Sequence, residues 1–228
     1  MKILHLYPNL MNLYGDHGNI TVLSRYLKDL GIRVKVEKKD IEDLIDFNQY
    51  DFIYMGSGTE DKLKIAMKDL MKYKLFISRY ISKGKAGLFT GNAMELLGRK
   101  IDDEEALGIL NFETVTTEKR YTGDVIARNE ETKEVVGFIN KSSLIKGGEA
   151  DKLFTYEFRD SNLVDNDYEG YRTGNFFGTH IIGPVLVKNP AFREVIVKIL
   201  AGEKFEERVY PYEQEAYDNT LQELRKRK

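Results

Sequence analysis

Short apolar runs at Lys2–Tyr7, Ile32–Val36, Phe52–Met55 and Ala86–Thr90 alternate with helical stripes, and this alternation leaves few folds open to the chain. Ile20, Leu23, Leu27 and Leu30 recur at helical spacing until Gly31 stops the helix, and Leu63, Met67 and Leu70 begin a longer stripe that lasts to about Tyr80. Strands that are apolar along their whole length are buried on both faces, which predicts a mostly parallel sheet flanked by helices. Such sheets bind ligands at the carboxyl ends of their strands. The loops 8–19, 56–61 and 90–92 are therefore expected to converge on one crevice.

After Gly98 the pattern changes. Residues 107–117, 124–128 and 134–138 are rich in Thr, Val and Phe with charged turns between them, which predicts antiparallel strands packed on the first layer. Residues 168–183 read as a hairpin returning to the sheet. Pro190–Leu200 reads as a helix with Asn189 as its cap and Pro190 at its first position. A C-terminal extension over 205–228 is amphipathic through Tyr217, Leu221 and Leu224 and is expected to be helical. Its terminal Arg225, Lys226, Arg227 and Lys228 suit a helix C-terminus without any partner, or mark a contact with acidic groups. The whole of 1–228 is expected to form a single domain.

Composition narrows the function. A net charge of −2 gives no global basic surface for nucleic acid or anionic lipid, and no apolar run approaches the roughly 18 residues needed to span a bilayer. Residues 1–8 are too short and too interrupted for a signal peptide, so the expected location is cytoplasmic. Absence of Cys rules out disulfides and thiolate ligands, and the three scattered His do not suggest a metal site. No cofactor is expected.

The segment Lys85–Gly98 is an apolar strand turning sharply into a short helix, the layout of a nucleophile elbow. In an elbow a Ser or Cys occupies the strained turn, and the following backbone N–H binds an oxyanion. Here Gly91 stands at the turn, and no thiolate exists anywhere in the chain to replace it. The sequence describes a catalytic scaffold without its nucleophile.

Several segments in order then carry a resemblance: Leu10-Met11-Asn12-Leu13-Tyr14-Gly15-Asp16-His17-Gly18-Asn19, the Gly56-Ser57-Gly58 loop, Ala93-Met94-Glu95-Leu96-Leu97-Gly98, and Gly178-Thr179-His180-Ile181-Ile182-Gly183-Pro184. Over 2–190 the chain resembles class I glutamine amidotransferase-like proteins of the cobyric acid synthase (CobB/CobQ) type, most closely the GatD branch. The resemblance implies a three-layer, flavodoxin-like α/β fold with an added antiparallel segment. It also implies a Cys-His pair that cuts the amide of glutamine, and a Mur-ligase-like partner of MurT type that uses the ammonia on a peptidoglycan precursor. In the family the elbow reads Cys-Gly-Gly-Tyr-Gln-Leu-Leu-Gly and the base lies in Gly-Thr-Tyr-Leu-His-Gly-Pro. These patterns put Gly91 at the nucleophile position, Glu95 at the Gln position and Ile182 at the base position, with His180 two residues before it.

Without a thiolate and an imidazole the covalent route is closed. The expectation is a degenerate glutaminase kept as the partner or regulator of an amidating ligase. One alternative is altered hydrolase or transferase chemistry through His180 or Glu95 with a bound water. Another is a module that binds glutamine or a related acid. If His180 lies on a strand, the two-residue period puts it on the face of Ile182, about 6–7 Å away, although a His flanked by Phe176, Phe177 and Ile181 also reads as a structural residue. Backbone N–H groups of Ser57, Gly58 and Asn92, beside Gly56, are suitably placed for an oxyanion or carboxylate. Thr90 is expected to point into the core, and Asp16 or Asn19 to cap the first helix. Arg120 or Arg128 is a candidate for a substrate carboxylate, with solvation the plainer reading.

Overall fold

The computed structural model describes residues 1–163 and 166–227. The parallel half of the sheet comprises β1 (Lys2–Leu6), β2 (Lys35–Lys39), β3 (Phe52–Met55), β4 (Ala86–Thr90) and β11 (Phe176–Thr179). The order is β2-β1-β3-β4-β11, with every neighbouring pair parallel. From β11 the same sheet continues antiparallel through β10 (Tyr168–Thr173) and β9 (Lys152–Arg159) to a long ribbon of β7 (Phe112–Asn129) and β8 (Lys133–Gly147). The short strands β5 (Lys100–Ile101) and β6 (Glu104–Glu105) sit beyond β7.

Alternation along each strand builds a core on both faces. Leu4, Leu6, Ile53 and Phe89 pack under α2 (Glu60–Leu70) and α3 (Lys74–Ser82) through Leu63, Met67 and Ile77. Ile3, Phe52, Tyr54 and Leu88 face α1 (His17–Asp29), α4 (Val185–Lys188) and α5 (Pro190–Ala201) through Leu23, Leu27, Leu186, Phe192 and Ile196. The fold is thus the expected α/β layering with a largely parallel sheet and an antiparallel addition. The C-terminal helix α6 (Pro211–Arg225) lies against the ribbon, burying Leu221 and Leu224 beside Ile126 and Val136.

Several local expectations change. The second strand starts at Lys35 rather than Ile32, because Gly31, at φ +75°, closes α1 and the Ile32 N–H is still bonded back to the Leu27 carbonyl at 3.0 Å. The stripe from Leu63 to Tyr80 is not one helix: a 3₁₀ turn at Met71–Tyr73 separates α2 from α3. Residues 107–111 are not strand, since the Leu107 and Ile109 N–H groups bond to Leu96 and Leu97. Beyond them, 112–129 forms one continuous strand rather than two. β9 has no counterpart in the sequence reading. The hairpin expected over 168–183 is present as β10 and β11.

Asn189 and Asp16 occupy the positions preceding α5 and α1, but neither side chain caps its helix. The Asn189 amide bridges the Val136 backbone N–H and carbonyl instead. The Asn19 side-chain Oδ1 accepts from the Leu186 N–H, tying α1 to α4. At the C-terminus Arg227 bonds Asp124 and Asp160, and Arg225 bonds Glu134, so these cations have acidic partners within the chain. Lys228 lies outside the described residues.

Candidate functional site

The chain leaves β1 at Tyr7, which adopts φ +49° and whose carbonyl accepts from the Leu10 and Met11 N–H groups, starting a compact loop. That loop presses onto the end of β3. A β-carbon on Gly56 would lie 2.6 Å from the Met11 carbonyl oxygen, and one on Gly58 would lie 2.5 Å from Met11 Sδ. A side chain at 56 would collide with backbone, and one at 58 would force Met11 to move. The third element is the end of β4, where Gly91 turns the chain at φ +60° into a 3₁₀ turn over Gly91–Leu97. The three loops meet, as the parallel topology predicted.

At the elbow itself there is no room for a side chain. A β-carbon on Gly91 would lie 2.3 Å from Ser57 Cβ and 3.2 Å from Ile182 Cγ2. Ile182 is 2% exposed, and its N–H is held by the Phe138 carbonyl at 2.9 Å. Gly91 and Ile182 are therefore neighbours across the site, and neither carries a group that can attack a carbonyl or transfer a proton.

The backbone donors of the loop are engaged internally. Asp16, fully buried, accepts from the Ser57 N–H at 2.6 Å and from Ser57 Oγ at 2.7 Å, both on one carboxylate oxygen. Its other oxygen is buried without a partner among the described residues. Burial pushes the Asp16 carboxyl up from its ordinary range, against the downward pull of the two Ser57 bonds. The Gly58 N–H donates to Asn92 Oδ1 at 3.0 Å, and Asn92 Nδ2 donates to the Gly58 carbonyl at 2.9 Å. A side-chain amide thus occupies the Gly58 N–H. Thr90 is buried and shares a hydrogen bond with the Tyr54 hydroxyl at 3.0 Å, which also donates to the Asp16 carbonyl.

His180 does not lie on the strand. β11 ends at Thr179, where Glu169 accepts from Thr179 Oγ1 at 2.7 Å and from the His180 N–H at 2.6 Å. The imidazole Nε2 meets Glu95 Oε1 at 3.1 Å, and that same oxygen accepts from Ser143 Oγ at 2.6 Å. His180 and Glu95 are 5% and 4% exposed. Sequence reasoning named both residues but missed that they form a pair, because 85 positions separate them.

A cavity of about 280 Å³ opens beside the elbow, bordered by Ser57, Gly58, Asn92 and Glu95 and, from the ribbon, by Lys141 and Ser143. Its mouth carries a chain of hydrogen bonds. Tyr14 accepts from Asn140, Asn140 accepts from Arg120, and Glu60 accepts from both Arg120 at 2.8 Å and Ser142 at 2.5 Å. Partial burial pushes the Glu60 carboxyl up, but the bonds from Ser142 and Arg120 outweigh it and hold the group below its usual range. An irregularity in the ribbon between Thr116 and Tyr121 places Arg120 here. Arg128 lies in the regular part of β7 and does not border the cavity. Among the described residues no group of His, Asp and Glu could hold a metal, and no helix is long and apolar enough to cross a membrane.

The sequence profile of the CobB/CobQ-like glutamine amidotransferase domain matches residues 2–190. The GatD subunit of lipid II isoglutaminyl synthase (glutamine-hydrolyzing) from Staphylococcus aureus N315 is 29% identical over 228 residues, spanning 96% of this chain and 90% of that protein. The corresponding subunit from Streptococcus pneumoniae R6 is 32% identical over 197 residues, spanning 83% of this chain and 76% of its own. Among solved structures, PurLQS from Thermotoga maritima has a TM-score of 0.56 at 15% identity, covering 96% of this chain and 98% of that one. A crystal structure of a glutamine amidotransferase has a TM-score of 0.56 at 15% identity, covering 87% and 98%.

Proposed function

Because the chain belongs to the CobB/CobQ-like glutamine amidotransferase family, we propose that it is a GatD-type subunit that has lost glutamine hydrolysis and is kept as partner or regulator of a Mur-ligase-like, MurT-type subunit in cell-wall precursor amidation. The observation that carries this reading is the filled elbow. Gly91 supplies no nucleophile, and Ser57 and Ile182 occupy the space one would need. Cleavage of an amide needs an attacking atom, a proton donor for the departing ammonia and free donors for the oxyanion. The first is absent at Gly91, the second at Ile182, and the Ser57 and Gly58 N–H groups already have internal acceptors.

The test is glutamate release by the purified chain, alone and co-expressed with a Mur-ligase-like protein. Co-purification with no release in either state is expected. Partner-stimulated release overturns the degeneracy, and failure to co-purify overturns the assembly.

A second reading rests on Glu95. Its carboxylate borders the cavity and is bonded to His180 and Ser143, so it is available to act on a bound water. Hydrolysis of any amide that is lost in Glu95→Gln supports this reading. A binding role for glutamine or a related acid uses the same cavity, whose size is close to the lower end of ligand pockets at about 300 Å³. Thermal stabilisation of the isolated chain by glutamine is its signature.

A further inference from the structure

A second cleft, of about 500 Å³, lies away from the elbow, between α1 and the open edge of the sheet. β2 is the edge strand, and α1 leaves part of its face uncovered. The floor is apolar at Ile20 and Val36, but two buried polar side chains stand against it. His5 of β1, in register with Lys38 of β2, is 2% exposed, and its Nε2 has no hydrogen-bond partner among the described residues. Ser24 of α1 is 8% exposed, and its hydroxyl also has none. Buried polar groups in folded proteins nearly always find a partner, so two orphans lining one cleft point to an occupant that supplies it.

The rim adds charge of one sign. Arg25 and Lys28 of α1 and Lys38 of β2 border the cleft, and among the described residues none of the three forms an ion pair. Arg25 lies over the Tyr210 ring at 5.7 Å, a contact that leaves its charge unneutralised. His17 stands at the same rim. The one carboxylate there, Asp29, already accepts the Tyr210 hydroxyl. In a chain of net charge −2, this local excess of unpaired cations is not a consequence of composition.

We propose that the cleft between α1 and β2 binds a small organic phosphate, its phosphoryl group held by the Arg25, Lys28 and Lys38 cations and its apolar part resting on Ile20 and Val36. A dianion matches three cations on one rim better than a single carboxylate does, and a phosphoryl oxygen can accept from the Ser24 hydroxyl and from His5 in its Nε2–H tautomer. The site shares no residue with the cavity at Gly91, so it stands or falls independently of the amidotransferase reading.

The experiment titrates the full-length protein with inorganic phosphate and with phenyl phosphate, against sodium chloride at matched ionic strength, and follows the three His rings by NMR. His5 and His17 signals should move and His180 should not, with phenyl phosphate binding more tightly than inorganic phosphate. Arg25→Gln/Lys38→Gln, both surface changes, should weaken binding by at least about tenfold, and Arg25→Lys should retain most of it. His5→Phe, which removes one orphan, should weaken it less. Shifts reproduced by chloride alone, or affinity unchanged in the double variant, overturn the proposal. Movement of His180 with the others does so too, as does binding of an acidic peptide but neither phosphate.

Discussion

Ser57 and Gly91 claim the same space: a β-carbon on Gly91 would lie 2.3 Å from the β-carbon of Ser57. Placing a Cys at 91 and a His at 182, the pair whose loss the proposed reading rests on, therefore takes more than two substitutions. Gly91→Cys places a side chain at φ +60°, which costs about 1 kcal/mol, and overpacks the site, which costs a further 1–3 kcal/mol or so. Gly91→Cys/Ile182→His should be destabilised by denaturant titration and inactive on glutamine. Adding Ser57→Gly relieves the clash but gives up the hydroxyl bond to Asp16, so the triple variant should regain only part of the lost stability. A double variant as stable as the parent would show that the loop yields, and the steric account would be wrong.

Asn92 donates to and accepts from Gly58 across 34 positions, with both bonds partly buried. Asn92→Ala should lower stability by about 1–2 kcal/mol and leave the Gly58 N–H exposed to the cavity. Asn92→Asp retains the acceptor but sets a carboxylate oxygen against the Gly58 carbonyl, so it should be the worse of the two at neutral pH. Amide exchange at Gly58 checks the assignment directly. The alanine variant should exchange faster than the parent, whereas equal rates would mean that Asn92 does not cover the loop.

The contrast between what the sequence reveals and what it conceals follows from distance along the chain. The parallel strands, the elbow at Gly91 and the inert Ile182 are legible because apolar runs and short motifs are local signals. The engagement of Ser57 by Asp16 and the His180–Glu95 pair depend on contacts 41 and 85 positions apart, and no spacing rule announces them. β9 was missed for a related reason. Lys152–Arg159 is flanked by turn residues at Gly147-Gly148 and Asp160-Ser161-Asn162, but the adjacent Leu153 and Phe154 break a strict two-residue period, and it becomes a strand by pairing with β7 and β10. Asp16 read as a cap because its position fits one, yet the Ser57 N–H and hydroxyl offer its carboxylate two donors at once.

His5 gives the fold an acid limit. Burial, aided by the charges of Lys38 and His17, lowers its imidazole from 6.5 to about 4. Between those pH values the unfolded chain binds a proton that the folded chain does not, so stability rises with pH across the window and is lost as pH falls through it. The contribution reaches about 3 kcal/mol by the lower end. His5→Phe removes the titrating group and should flatten that part of the curve, measured by urea unfolding at a series of pH values. A variant curve parallel to that of the parent would assign the acid loss to other groups.

Two sets of ion pairs hold α6 and the chain just after it, one buried and one exposed. Arg193 is 1% exposed, donates to Glu213 at 2.5 Å and lies under the Tyr26 and Tyr210 rings at 4.7 and 5.8 Å. Removing its carboxylate strands a desolvated guanidinium, whose Nε already has no partner among the described residues. Breaking a buried pair on one side costs about 3–5 kcal/mol. Glu213 is 26% exposed, so Glu213→Ala belongs at the lower end of that range. Arg227 also bonds two carboxylates, Asp124 and Asp160, but is 46% exposed, and water screens what it gains. Arg227→Ala should therefore cost far less than Glu213→Ala. Raising salt should weaken the Arg227 contacts and leave the Arg193 pair nearly untouched, because screening reaches charges in water and not those beneath two tyrosine rings. Equal losses in the two variants would mean that α6 is held by Leu221 and Leu224 alone, with the buried charge contributing no more than the exposed one.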